Sequence, residues 1–316
     1  MNKPELIVMA GLSGSGKSTI AAKLADKKNA IIVSSDAIRE ELTGKVEDQS
    51  ANEQVFKLFH ERIRKNLENK QNVIADATNI SMKSRRAILD KVNGLDIKKT
   101  CYIVAKPFDL CKTDNPNREH PVPDWVLDKQ IRGFQVPFFQ EGWDDIIIKR
   151  FVDNPKYSNY KHSISEFFYD MADFDQENPH HTLTLDKHCE AAYKSFVELR
   201  CPHSSFYDMA QLDGYMAGAK LHDLGKKFCK TYGEDGVAHF YQHHSIGAYK
   251  VLTQLDCPKM WRTQYTELLA CCFLINYHML PFDWEKNKTQ NKWKKRLGDY
   301  KYQLLMDFHE CDITAR

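Results

Sequence analysis

The sequence predicts two domains of different class: an α/β domain with a parallel sheet and helices on both faces, followed by an all-α domain. Three observations predict this. The length, 316 residues, suits two domains of roughly 150 residues each better than one. In the first half, short apolar runs alternate with stretches of helical spacing, as successive strand–helix units require. After about residue 150 the alternation stops, and the periodic segments that remain are helical.

Each element has its own signal. Residues 6–10 form a buried strand, residues 17–27 a helix with Ala and Leu at helical spacing, and residues 31–33 a second strand. Residues 54–69 form an amphipathic helix with Val55, Leu58, Phe59, Ile63 and Leu67 on one face. Residues 73–75 make a third strand, 85–92 a helix and 99–104 a fourth strand. Residues 153–162 are polar and carry Pro155, Tyr157 and Tyr160, the composition of a linker. The expected domains are therefore 1–152 and 163–316. In the second, helices are predicted over 183–197, 212–221, 245–255, 264–276 and 298–314, with no strand.

Composition narrows the functional classes. Apolar residues make up 42% and charged residues 28%, which supplies real cores and excludes disorder as the main state. No run approaches the ~20 apolar residues that span a bilayer, so no membrane role is expected. The opening Met-Asn-Lys-Pro-Glu runs into a Gly-rich loop rather than a small-residue cleavage site, unlike a secretory leader. The nine cysteines are scattered without a Cys-x-x-Cys pair, as reduced core residues of a cytoplasmic protein would be. Residues 1–150 hold 25 basic and 21 acidic residues, and residues 151–316 hold 20 and 22. Neither half is basic enough to coat itself with nucleic acid, so a nucleic-acid substrate would be gripped at its end.

Residues 11–19 match G-x-x-x-x-G-K-[ST], between a strand and a helix. A polyphosphate must be wrapped by backbone N–H groups, and glycine permits the angles and close approach that wrapping needs. Gly11, Ser13, Gly14, Ser15, Gly16 and Thr19 are the expected wrapping residues. Lys17 offers charge to the terminal phosphates and Ser18 a ligand to Mg²⁺, so ATP with Mg²⁺ is expected. Asp36, just after the second strand, can take a proton from an attacking hydroxyl, and Arg39 can hold a substrate phosphate. The competing reading of this pair is a helix N-cap and a surface arginine. Asp76 and Asn79, after the third strand, are further candidate substrate contacts. Arg118 lies in a Pro-punctuated loop that could close on the phosphates.

These clusters resemble the 5′-kinase module of phage-type polynucleotide kinases, within the P-loop kinase group that includes zeta-toxin-like proteins. The resemblance covers about residues 4–150. It rests on residues 11–19, Asp36 with Arg39, residues 76–79, and Asn115, Arg118 and Val122-Pro123, followed by Phe134, Pro137 and Glu141-Gly142. It implies that Asp36 deprotonates a polynucleotide 5′-hydroxyl and that Arg118 contacts the ATP phosphates. The family usually has a second arginine four residues before Arg118. Here that position is Asp114, with Lys112 nearby to compensate.

The second half carries a metal signal. His222-Asp223 offers an imidazole nitrogen beside a carboxylate, a mixed donor set suiting Mn²⁺, Fe²⁺, Co²⁺, Ni²⁺ or Zn²⁺. His188, His243, His278 and Asp312 are further candidate ligands on predicted helices. The order His, His-Asp, His, His, Asp resembles the HD superfamily of metal-dependent phosphohydrolases, over about residues 165–316. The resemblance implies one metal on His188, His222, Asp223 and Asp312, and a second where His243 and His278 are present. Asp223 would bridge the metals or orient water. Lys226, His180 and His181 could contact phosphate, or could be surface charges and helix caps.

A kinase joined to a phosphohydrolase suits the healing of broken polynucleotide ends. A 5′-phosphate is added and a 3′-phosphate or 2′,3′-cyclic phosphate removed, in RNA or DNA, ahead of a ligase. Lys57, Arg62, Arg64, Lys65, Lys70, Lys83, Arg85 and Arg86 could track the strand, or could be solvated. The rivals are a nucleoside or small-molecule kinase fused to a nucleotidase, and an ATP-gated HD hydrolase of a signalling nucleotide.

Overall fold

A computed structural model describes residues 3–179, 182–200, 209–257 and 265–315. Its contacts divide the chain into two compact units. The first is Met1–Gln130 with Glu141–Phe151, and the second is Ile131–Gln140 with Val152–Arg316.

The first unit is built on five parallel strands: β1 (Glu5–Ala10), β2 (Ala30–Ser34), β3 (Asn72–Asp76), β4 (Lys98–Ala105) and β5 (Asp145–Arg150). Their order is β2-β3-β1-β4-β5. β1 is buried throughout and pairs on both sides, Ile7 lying opposite Ile74 and Thr100. The chain leaves β1 in one direction for β2 and β3 and in the other for β4 and β5. That reversal opens the ligand crevice of such sheets at the carboxyl end of β1. The fifth strand is absent from the sequence reading. It is an edge strand with only Ile146, Ile148 and Arg150 turned inward, and so short an alternation is a weak signal. The opposite edge, β2, leaves Ile31 and Ile32 substantially exposed.

The helices of this unit are α1 (Lys17–Lys28), α2 (Ser35–Thr43), α3 (Asn52–Glu68), α4 (Met82–Lys91), α5 (Phe108–Asp114) and α6 (Asp124–Arg132). Ile20, Leu24 and Ala21 of α1 pack on Ile7, Met9, Ile74 and Val104. The stripe of α3 buries Val55, Phe59, Ile63 and Leu67. Arg85 is fully buried and carries a two-point ion pair to Glu141, at 2.8 and 2.6 Å. It is therefore a structural pin and not a strand-tracking cation. Arg62 and Arg64 are likewise engaged, with Glu41 and Glu68 at 2.7 Å.

The second unit is helical: α7 (Ile164–Tyr169), α8 (Leu185–Arg200), α9 (Met209–Leu221), α10 (His243–Gln254), α11 (Thr266–Tyr277), α12 (Leu280–Asn287) and α13 (Gln290–Thr314). It also holds a small antiparallel hairpin, Thr231–Tyr232 with Ala238–His239, where no strand was expected. Two-residue strands leave too short an alternation to read. α13 begins eight residues before its expected start at Gly298, which instead marks a kink at φ 75°. Residues 131–140 join this unit because Val136 N–H donates to Asn276 Oδ1 at 2.7 Å, Tyr277 Oη donates to the Val136 carbonyl at 2.9 Å, and Phe138 packs edge-on against Phe273 and Tyr277. Within 153–162, Pro155–Tyr160 forms a 3-10 helix, and His162 N–H donates to the Gln254 carbonyl. The described cysteines are buried. Among the described residues no helix is long and apolar enough to cross a membrane.

Candidate functional site

The loop after β1 turns at Gly14, whose φ of 76° suits glycine, and a Cβ there would meet the Cys111 carbonyl oxygen at 2.7 Å. α5 therefore lies against this loop at backbone distance. Gln130 of α6 clamps the loop from another side, its Oε1 accepting from Ser13 N–H at 2.8 Å and its Nε2 donating to Ser13 Oγ at 2.9 Å. Lys17 is buried, and its ammonium donates to the Leu12 carbonyl at 2.8 Å. Burial pushes its pKa down to about 8, against the pull of Asp76. Ser15 Oγ is buried without a hydrogen-bond partner. A buried hydroxyl and a buried ammonium turned onto their own loop are donors that a polyphosphate would satisfy.

Four strand ends deliver side chains to this crevice. β3 ends at Asp76, whose carboxyl is pushed up by burial while Lys17 and a hydrogen bond with Ser18 pull it down. An acid beside Ser18 and Lys17 suits a cation and repels phosphate, so the geometry sets Asp76 with Ser18 rather than with the substrate-phosphate contacts. Asn79 is spent structurally. Its buried amide donates to the Met9 carbonyl at 2.9 Å, and the Thr78 carbonyl accepts from Gly11 N–H at 2.9 Å. The amide also reaches the Ala77 carbonyl at 3.5 Å, so this turn holds the entry of the phosphate loop and directs the Asn79 side chain to backbone carbonyls.

β2 delivers Asp36. The cap of α2 is Ser34, whose Oγ accepts from Ala37 N–H, so Asp36 stands in the first turn and is not the cap. Its side chain is 57% exposed and pairs at 2.9 Å with Arg39, whose own is 7% exposed. Asn52 accepts from Arg39 Nη2 at 3.1 Å, while Arg39 Nε is buried without a partner. Asp36 and Arg118 both act electrostatically on Lys17, Asp36 favouring its charge and Arg118 opposing it. Arg118 Nη1 donates to Asn115 Oδ1 at 3.4 Å.

The second unit gathers all six predicted ligands: His188 from α8, His222 and Asp223 at the end of α9, His243 opening α10, His278 closing α11 and Asp312 from α13. All six are buried. They form two groups, His188 with His222 and Asp312, and Asp223 with His243 and His278. Asp223 joins them. Its Oδ2 is 3.4 Å from the Nε2 atoms of His188 and His222, and its Oδ1 is 3.0 Å from Nε2 of His243. Each imidazole turns Nδ1 to a backbone carbonyl: Ala315 at 2.6 Å, Ala219 at 2.9 Å, Phe240 at 2.9 Å and Ile275 at 2.8 Å for His188, His222, His243 and His278. Nδ1–H therefore donates outward, and four Nε2 lone pairs face inward. Two such pairs lie only 3.2 Å apart, between His188 and His222 and between His243 and His278. Opposed lone pairs at that distance call for a cation or a proton between them.

The electrostatics agree. Burial alone would lower the His188 pKa, yet hydrogen bonds to Asp223 and Asp312 raise it to about 10. Burial likewise opposes charge on Asp223, but Lys226, His222 and His243 hold it well below the carboxylate range. His278 is pushed down by burial. The nitrogen and oxygen donors fit a divalent transition metal in each group. Lys226, expected on phosphate, is instead buried, with its ammonium 2.7 Å from both Asp223 Oδ2 and Gln176 Oε1. It orients Asp223. His180 and His181 lie outside the described residues.

Sequence reasoning missed Gln130, Gln176 and Lys106, and named Glu141 only as part of a motif, without its partner Arg85. The ammonium of Lys106 is buried at the end of β4, donating to the Gly14 carbonyl at 2.9 Å and to Asp114. Each meets its partner 50 or more residues away, or through an unmarked loop, and no motif announces such pairs. Lys112, expected to compensate for Asp114, pairs with Asp128 at 2.9 Å.

Residues 6–137 match the family model described as an AAA domain. With the parallel sheet and its phosphate loop, this segment fits a P-loop kinase-like fold. No curated protein matches the chain. Among solved structures, one chain of the Pnkp1/Rnl/Hen1 RNA repair complex is 23% identical, with a TM-score of 0.38, over 41% of this chain and 43% of that one. A gluconokinase from Sinorhizobium meliloti 1021 is 19% identical, with a TM-score of 0.35, over 47% of this chain and 83% of its own. A sugar kinase from Janibacter sp. HTCC2649 is 19% identical, with a TM-score of 0.36, over 46% and 84%. The chain thus spans less than half the length of the first of these.

Proposed function

We propose that this chain is a bifunctional polynucleotide end-healing enzyme, with a 5′-hydroxyl kinase in its first unit and a metal-dependent phosphohydrolase in its second. The observation that carries it is the pairing of two unlike sites in one chain: a phosphate loop beside Asp36 and Arg39, and a buried cluster of six candidate ligands joined through Asp223.

In the first unit, the loop amides and Lys17 would bind the ATP phosphates, and Ser18 with Asp76 would hold Mg²⁺. Arg39, fixed by Asn52, holds the Asp36 carboxylate at the crevice, where it accepts the proton of an attacking 5′-hydroxyl. The hydroxyl oxygen bonds the γ-phosphorus as the bond to the ADP oxygen breaks, and Arg118 balances the charge that gathers there.

In the second unit, His188, His222 and Asp312 would hold one divalent ion and His243 and His278 another, with Asp223 shared. Bound ions would supply Lewis acidity toward phosphate oxygens and lower the pKa of water at the centre. The four Nδ1–carbonyl bonds hold the imidazoles in ligand orientation, and Lys226 fixes the shared carboxylate. The expected substrates are 3′-phosphate and 2′,3′-cyclic phosphate ends.

The test uses RNA and DNA oligonucleotides with defined ends and γ-labelled ATP. Label should enter 5′-hydroxyl ends, and 3′-phosphate or cyclic ends should be hydrolysed with Mn²⁺, Co²⁺ or Ni²⁺ present. Transfer to free nucleosides alone would replace this proposal with a small-molecule kinase. Ester hydrolysis that demands ATP, without any phosphoryl acceptor, would replace it with a gated hydrolase.

A further inference from the structure

A chain of contacts leads from the phosphate loop to Arg118, and its first member is a buried lysine with no place in the chemistry above. Lys106 sits at the carboxyl end of β4, 3% exposed. Its ammonium donates to the Gly14 carbonyl at 2.9 Å, lies 5.2 Å from the centre of the Phe151 ring and pairs with Asp114, the last residue of α5. Asn115 follows directly. Its Nδ2 donates to the Val122 carbonyl at 2.6 Å, and its Oδ1 accepts from Val122 N–H at 3.0 Å, closing residues 115–122 into a ring. The same Oδ1 accepts from Arg118 at 3.4 Å. Side chains thus link Gly14 to Arg118 through Lys106, Asp114 and Asn115.

Burying an ammonium costs several kcal/mol unless it is paired and hydrogen-bonded. Lys106 meets that cost with one loop carbonyl and one carboxylate at the base of the arginine loop. Any drift of that base away from the phosphate loop would strand a buried charge, so the pair resists that movement.

We propose that Lys106 and Asp114, acting through Asn115, are positioning residues that hold Arg118 over the terminal phosphate of the bound nucleotide. The proposal rests on the kinase function proposed above, and its test reads nucleotide binding, which needs no acceptor. A terminal-phosphate contact favours ATP over ADP, whereas a loop that is merely looser loses both alike.

The affinities of ATP and ADP are measured by calorimetry with Mg²⁺ for the full chain and for Arg118→Ala, Lys106→Met, Asp114→Asn and Asp114→Glu. Arg118→Ala should cut the ATP-to-ADP preference about tenfold or more. Asp114→Asn and Lys106→Met should each remove a large part of it, and Asp114→Glu should retain it. Arg118→Ala with Asp114→Asn should lose no more than Arg118→Ala alone. Asp114 is more than half exposed, so its variants remain readable if Lys106→Met fails to fold. Equal loss of ATP and ADP in the Asp114 and Lys106 variants, or additive losses in the double variant, would overturn the proposal. A chain that binds ATP with this pattern yet never labels a 5′-hydroxyl would instead remove the polynucleotide function and leave the positioning role standing.

Discussion

Glu141 illustrates how much one side chain can carry. It accepts two hydrogen bonds from Arg85 and one from Trp143 Nε1 at 3.0 Å, all out of solvent. Removing one partner of a buried pair strands the other charge, so Glu141→Ala should cost about 3–5 kcal/mol in denaturant unfolding. A loss under about 1 kcal/mol would show that Arg85 finds another partner. Lys301 makes a different prediction. It is buried among Tyr215, Phe273 and Tyr300, its ammonium donating to Tyr215 Oη at 2.9 Å, and burial lowers its pKa from 10.5 to about 8. The unfolded chain then binds this proton more tightly than the folded one, so stability rises with pH between about 8 and 10.5. The gain is roughly 3 kcal/mol over that window. Lys301→Met should flatten this rise in melting temperature, and an unchanged slope would refute the assignment. Lys301 did not stand out in the sequence and Glu141 did so only within a motif, because a buried charge is recognised by what surrounds it.

At the level of elements, both centres are built where a helix or strand ends. The loop after β1 depends on Gly14. Gly14→Ala would drive a methyl into the Cys111 carbonyl and require a strained backbone, so nucleotide affinity should fall at least a hundredfold while the chain stays folded. The segment after Asp223 depends on Gly225, where a Cβ would meet the His243 carbonyl at 1.9 Å. Gly225→Ala must push α10 away and His243 with it. The metal content of purified protein, read by elemental analysis, should then fall from two ions per chain toward one, as it should for His278→Ala. Full loading in both variants would contradict the two-group arrangement. The strongly patterned helices and strands were legible because periodicity repeats over several turns. β5 and the hairpin were not, because three inward residues on an edge strand and two-residue strands leave too short an alternation to read.

For the molecule as a whole, the decisive property is that the phosphate loop and the histidine–aspartate cluster stand on separate units. Lys17→Ala and Asp36→Ala should each abolish phosphoryl transfer and leave ester hydrolysis within about twofold. His222→Ala and Asp223→Ala should do the reverse. Loss of both activities from any one of these folded variants would mean a shared centre.

The chain order alone disclosed the phosphate loop, the Asp36–Arg39 spacing and the run of six ligand residues, since each is written in near neighbours or in residues of chemically restricted type. The folded molecule decided the rest. It divided the oxygens of Asp223 between two groups, turned Asp76 toward Ser18, spent Asn79 and Lys226 on support, and set Lys106 under the arginine loop. Apart from the contact of Lys226 with Asp223, those outcomes depend on residues tens of positions apart meeting. A one-dimensional pattern carries no trace of such meetings, because packing, not spacing, selects the partner.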